Sequence, residues 1–178
     1  MDEQLFALAA VALATERISY IWISRRPELF TRLLVDTRIL ETVHPIDMVR
    51  ILFVGFKVLQ AAVFVQWVVT HGGPSFMLEL RSPGAAVLGA LLVVIGQWLN
   101  VSVFLLLGAD GVFYGTWFGK TIEWSNEFPF SIVAHPQYLG ATLTIWGFFL
   151  LTRYPSPDWV ALPLLESAYY LASARLER

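Results

Sequence analysis

Three long apolar runs decide what this chain can fold into. They extend from about Leu5 to Ile23, from Ile51 to Val69 and from Ala85 to Leu107, and each is about as long as the roughly 17 to 25 residues a helix needs to cross a bilayer core. In hydrocarbon every backbone polar group must find a partner within the protein, so such runs become helices. Composition agrees: 57% of the residues are apolar and 15% are charged, where a soluble domain carries about a quarter charged residues. The first run has no small-residue cleavage site after its apolar stretch and reads as a retained helix. Two shorter runs follow, Leu139 to Thr152 and Trp159 to about Ala174, separated by a segment holding Pro155 and Pro157. Prolines so placed mark a turn, which makes these two runs a short helical hairpin. The expected architecture is all-α: one integral membrane bundle of four to five transmembrane helices, a single domain over residues 1–178.

The net charge of −2, from 12 basic and 14 acidic residues, supplies no field for a nucleic-acid backbone. There are no cysteines, and His44, His71 and His135 are scattered, so neither thiolate chemistry nor a metal site is expected. Basic residues gather after the first run, at Arg25, Arg26, Arg32, Arg38 and Arg50, whereas Arg81 stands alone in 70–84. The bias of basic residues toward the cytoplasm predicts that the N-terminus lies outside and that segment 108–138, with Lys120, lies inside. Arg175 and Arg178 fall inside as well if both hairpin helices cross.

That segment carries most of the chemistry-bearing residues. Gly108, Gly111, Gly115 and Gly119 recur at spacings of three and four and would line one face of a helix. Phe113, Tyr114, Trp117, Phe118, Trp124, Phe128 and Phe130 are interleaved with Asp110, Lys120, Glu123 and Glu127. Aromatic rings alone are an interfacial belt; rings with carboxylates suit a cationic ligand such as a sulfonium or alkylammonium group. Glu166, inside the last run, costs on the order of 2 to 3 kcal/mol in a membrane, and so needs a ligand or a salt bridge to Arg17 or Lys57.

The stretches "GQWLN" from Gly96, "LLGADGVFYGTWFGKTIEWSNEFPFSIVAHPQYLGAT" from Leu106 and "LES" from Leu165 resemble the phospholipid N-methyltransferases, the plant-type phosphatidyl-N-methylethanolamine and the phosphatidylethanolamine enzymes among them. The resemblance implies an integral membrane enzyme that uses S-adenosylmethionine, without a metal, to methylate the head-group amine of a bilayer phospholipid, leading to phosphatidylcholine. It places Gly96 in the family's cofactor glycine motif, with Val94 where the first glycine would stand, and Glu166 in its acidic pair, with Ser167 as the second member. The cofactor set expected from it is completed by Gly108, Gly111, Tyr114, Gly115, His135, Pro136, Tyr138 and Gly140.

Methyl transfer to an amine is an in-line displacement that asks mainly for orientation and a dry site. The protonated acceptor must first lose a proton, and Glu123, Glu127 and His135 are the candidate bases. Trp117, Lys120, Trp124 and Phe130 are the expected substrate contacts, the rings for the cation and Lys120 for the phosphate, with the lipid entering laterally between helices. Two alternatives stay open: an isoprenylcysteine-type carboxyl methyltransferase, and a non-catalytic membrane subunit whose glycines only pack helices.

Overall fold

The computed structural model describes residues 3–37, 43–72 and 83–176. Among the described residues six helices form in order: α1 Glu3–Arg25, α2 Pro27–Asp36, α3 Pro45–Gly72, α4 Pro83–Val112, α5 Pro136–Thr152 and α6 Ala161–Leu176, with a 3-10 turn at Gly115–Phe118 before α5. Helices α2 to α5 each begin on a proline, whose fixed φ suits the first helical position and whose missing N–H costs nothing there. Among the described residues there is no strand. Arg38, Arg81 and Arg178, used above to orient the chain, lie outside the described residues.

Helices α1, α3 and α4 are long and apolar enough to cross a membrane, as their sequence predicts, and the chain is an integral membrane protein. Their outward faces are apolar, as lipid requires: Leu105 is 80% exposed and Val94 65%. Helices α5 and α6, of 17 and 16 residues, measure about 25 Å at the rise of an α-helix, short of the roughly 30 Å core. They form the expected antiparallel hairpin. Its turn is closed by Arg153, which is buried and grips Asp158 through both nitrogens of one edge. Trp67 of α3 donates to the same carboxylate at 3.0 Å.

Two expectations need correction. The arginine-bearing segment after α1, to which the apolar runs assign no helix, holds one: α2 buries Phe30 and Leu34, four residues apart, and its turns bring Leu29 and Leu33 to the outside. The glycine series of 108–119 does not share one helix face. The helix breaks at Gly108, whose φ of 65° is open to glycine and opposed by a Cβ, and Tyr114 and Gly119 are also left-handed.

The bundle is a ring with one open side. Helix α1 packs on α3 and α6, α6 on α5, and α5 on α4. Gly89 and Gly96 of α4 meet Gly147 and Gly140 of α5, so closely that a Cβ on Gly147 would lie 2.5 Å from the Gly89 carbonyl oxygen and one on Gly140 2.6 Å from that of Gly96. Small residues seven apart on both helices let the two backbones touch, the usual source of helix association where lipid offers no hydrophobic drive. Helices α3 and α4, though consecutive, do not pack along their lengths. They approach at the end where Arg50 reaches Asp110 at 2.6 Å and the Phe53 ring meets Phe113 edge-on at 5.2 Å.

Candidate functional site

The open side leads into a cavity of about 530 Å³ enclosed by α1, α3, α4, α5, α6 and the residues just after α4. Its walls are largely apolar, with Phe53, Phe64, Phe104, Ile145 and Phe148 among them, and its floor is charged. Glu16, 4% exposed, sits 2.5 Å from the Arg17 guanidinium and 2.9 Å from Lys57 Nζ. Lys57 Nζ also donates to Gln60 Oε1 at 3.1 Å and to the Tyr170 hydroxyl at 3.2 Å. Gln60 Nε2 donates in turn to Glu166 Oε1 at 2.7 Å. The Arg17 guanidinium lies 4.2 Å over the Tyr170 ring. Charges inside a membrane bundle persist when paired in this way and mark function more often than framework.

The carboxylate that neutralises Arg17 and Lys57 is therefore Glu16, not Glu166. Glu166 is 1% exposed, is held by Gln60 from behind the cavity wall, and has no hydrogen-bond partner at Oε2 among the described residues. A buried carboxylate oxygen so left calls for a donor from a ligand or an ordered water. The cavity also carries Tyr114 and Tyr138, whose hydroxyl oxygens are 3.2 Å apart. Tyr138 reaches it from the first turn of α5. Tyr114 reaches it because its left-handed backbone, φ 59°, turns the chain back over the α3 end.

The remaining expected residues fall elsewhere. Gly96 and Gly140 lie at the α4–α5 crossing, with no space beside them for a side chain. Ser167 accepts from Trp146 Nε1 at 3.0 Å and donates to the Pro163 carbonyl, a tie between α5 and α6. Pro136 is buried at the start of α5, and His135 precedes it, exposed, with its ring against Tyr138 at 5.8 Å. Gly108, Gly111 and Gly115 shape the turn out of α4, Gly115 being closed in by the Asp110 carbonyl. Trp117 stacks flat on Tyr114 at 4.0 Å and borders a separate depression with Arg32 and His44. Lys120, Glu123, Trp124 and Glu127 are exposed on 119–135, and Phe130 is half-buried; none of the five is in the cavity wall. Glu16, Arg17, Lys57, Gln60 and Tyr170, which carry the polar floor, were not among the expected site residues. Their signal was the presence of charged and amide side chains inside apolar runs.

The sequence pattern of the phospholipid methyltransferases matches residues 85–178, just over half of the chain and all of α5 and α6. The chain belongs to the phospholipid methyltransferase family. Within it, the chain is similar to the phosphatidyl-N-methylethanolamine N-methyltransferase of Arabidopsis thaliana, 46% identical over 81 residues that make up 43% of this chain and 49% of the relative. It is also similar to the phosphatidylethanolamine N-methyltransferase of Homo sapiens, 33% identical over 102 residues, 57% of this chain and 50% of the relative. The enzyme of the same name from Rattus norvegicus is 34% identical over 91 residues, 51% of this chain and 45% of the relative. The chain thus spans about half the length of the curated relatives it matches. No solved structure matches it. The family match begins in the first turn of α4, so Glu16, Arg17, Lys57 and Gln60 belong to the part of the chain that the family pattern does not reach.

Proposed function

We propose that this member of the family methylates the head-group amine of phosphatidylethanolamine, or of its mono- and dimethyl derivatives, toward phosphatidylcholine. In this reading the whole chain is one catalytic membrane domain, because α1 and α3 supply as much of the cavity's polar floor as α5 and α6. The N-terminus lies outside and the end of the bundle that carries 108–138 faces the cytoplasm.

The observation that carries the proposal is the cavity itself: an apolar chamber within a membrane bundle whose polar end offers tyrosine rings and Gln60, with the half-satisfied carboxylate of Glu166 one hydrogen bond behind that glutamine. S-adenosylmethionine, the donor the family implies, supplies a methyl group on a cationic sulfur. The site fits such a donor, since Glu166 Oε2, one hydrogen bond behind Gln60 of the cavity wall, lacks among the described residues a partner that a cationic or N–H-bearing ligand reaching past Gln60 would provide. Glu166 would hold the donor with Gln60 fixing its rotamer, and the charged floor of Glu16, Arg17 and Lys57 would keep Gln60 in place. Tyr114 and Tyr138 would face the ammonium group, whose charge their ring faces stabilise. The apolar walls exclude water from the transfer, which strengthens every electrostatic contact within. Glu123, Glu127 and His135, on the exposed rim, would accept the amine proton through solvent rather than by direct contact. A carboxyl-methylating reading has less support, because the cavity's cations, Arg17 and Lys57, are already paired with Glu16 and the ring faces repel a carboxylate.

Incubating the purified protein with labelled donor and each of the three acceptor lipids in turn tests the proposal. Label should appear in at least one methylated ethanolamine lipid. No transfer to any of them by folded protein that binds the donor refutes it.

A further inference from the structure

Every neighbouring pair of helices around the ring is packed except α3 and α4. Consecutive elements ordinarily lie against one another, and an unfilled seam between membrane helices forfeits the dispersion contacts that hold such bundles together. This seam is also not empty surface. On the α3 side Ala61 and Val65 line the cavity while remaining exposed, and on the α4 side Phe104 does the same. Deeper in, the lining becomes polar, through Asn100 on α4 and Lys57 and Gln60 on α3, while Gln97 of α4 stands at the exposed lip, bonded to Thr144. At the end away from the connection of α3 to α4, the Arg50–Asp110 ion pair and the Phe53–Phe113 contact close the seam. The opening therefore faces sideways along the spans of α3 and α4, where the bilayer lies, and its surface grades from apolar at the lips to polar at the floor.

That grading matches one kind of molecule. We infer that the α3–α4 seam is the port by which a diacyl glycerophospholipid enters from the bilayer, its chains between Ala61, Val65 and Phe104 and its head group turned in toward Lys57, Gln60 and Asn100. The volume, about 530 Å³, is that of a small-molecule pocket, enough for a head group and the adjoining part of a lipid whose tails remain in the seam. Arg50 and Asp110 bind the two lips at the solvent end, so the head group passes beneath that strap instead of arriving from water. This inference rests on the proposed methyltransferase activity and adds to it the route and the chain-binding surface.

The chain has no cysteine, so a pair placed across the seam, Val65→Cys with Gln97→Cys, reacts alone with a cleavable bifunctional thiol reagent. Bridging should reduce methylation of phosphatidylethanolamine in vesicles by about tenfold or more, leave donor affinity unchanged, and be reversed when the bridge is cut. Bridged protein that methylates vesicle lipid within about twofold of the unbridged sample overturns the port. Loss of donor binding on bridging overturns it too, because the seam would then serve the donor. Unbridged protein that methylates no lipid refutes the activity on which the inference rests, a different failure from the first two. Ala61→Trp is a second test at an exposed position that packs against no core. It should raise KM for the diacyl lipid by about fivefold or more with donor affinity intact, and an unchanged KM again overturns the port.

Discussion

Glu16 and Glu166 are both carboxylates almost sealed from solvent, at 4% and 1% exposure, yet their charge-neutral replacements should damage different properties. Glu16 contacts both the Arg17 guanidinium and Lys57 Nζ. Glu16→Gln keeps an acceptor oxygen but leaves two buried cations uncompensated, and breaking a buried pair by removing one partner costs about 3 to 5 kcal/mol. The Lys57 side chain is 32% exposed, which places the cost at the lower end, about 3 kcal/mol after screening. For a chain of this size each kcal/mol moves the melting midpoint by about 2 to 4 °C, so a loss of about 6 to 12 °C is expected in detergent. Glu166 holds no cation directly; it accepts from Gln60 Nε2 at 2.7 Å, which an amide oxygen does equally well. Glu166→Gln should therefore cost about 1 kcal/mol or less. Its donor affinity should fall about tenfold or more, because a charge-assisted hydrogen bond is worth about 1.5 to 3 kcal/mol. Thermal unfolding and calorimetric donor titration of the two variants, side by side, separate the roles. If Glu166→Gln melts as low as Glu16→Gln while binding the donor like the parent, Glu166 is framework and its proposed role is wrong. If Glu16→Gln melts within about 2 °C of the parent, the charged floor does not hold α1 to α3.

Three further outcomes follow from the geometry. Glu123→Gln, Glu127→Gln and His135→Ala should each lower kcat/KM by less than about tenfold, because all three side chains lie outside the cavity wall, whereas a directly acting base contributes about a hundredfold or more; steady-state kinetics with vesicle lipid decides. Gly147→Leu should destabilise by about 1 to 3 kcal/mol, the usual cost of overpacking, since its Cβ would meet the Gly89 carbonyl and Val93; a melting midpoint equal to the parent's would show that α4 and α5 do not touch there. Burial alone would raise the Asp158 carboxyl, but the hydrogen bonds and charge of Arg153 outweigh it and hold the group below its ordinary value. A depressed folded value means that this stabilisation is complete above the unfolded value of about 3.9 and vanishes as the pH falls through the folded one. Melting curves of the parent should therefore decline more steeply below about pH 4 than those of Asp158→Asn, and parallel declines contradict the pairing.

The helices were legible because a membrane span announces itself through length and apolarity alone, and Ile51 to Val69 or Ala85 to Leu107 needs no tertiary information to be read. Helix α2 was missed because its arginines were counted for orientation while the pairing of Phe30 with Leu34 went unread. Glu16 was missed for a geometric reason. Adjacent residues on a helix do not ordinarily face one another, so nothing in the sequence couples Glu16 to Arg17; the coupling arises when Lys57 of α3 and Tyr170 of α6 draw both side chains to one point. The rim of 119–135 drew attention by its density of aromatic and acidic residues, which the chain holds at the surface. Density of a residue type along a chain carries no information about depth.

The motif "HPQYLG" shows how a short pattern combines framework and site. Pro136 fixes the first position of α5, and Tyr138 and Gly140, two residues apart, point to nearly opposite sides of that helix. Extended at helical spacing, Tyr138 leads to Ala141, Ile145 and Phe148, all in the cavity wall. Gly140 leads to Thr144 and Gly147, which meet Gly96, Gly89 and Val93 of α4. Thr144 serves both sides, lining the cavity and accepting from Gln97 at 2.9 Å. A tyrosine-x-glycine spacing at this place therefore sets one face of α5 toward the ligand and frees the other for the close approach of α4. Any side chain at 140 would push α4 outward and, with it, Asn100 and Gln97 away from the cavity. The glycine then affects the site without touching a ligand, by fixing where the α4 wall stands.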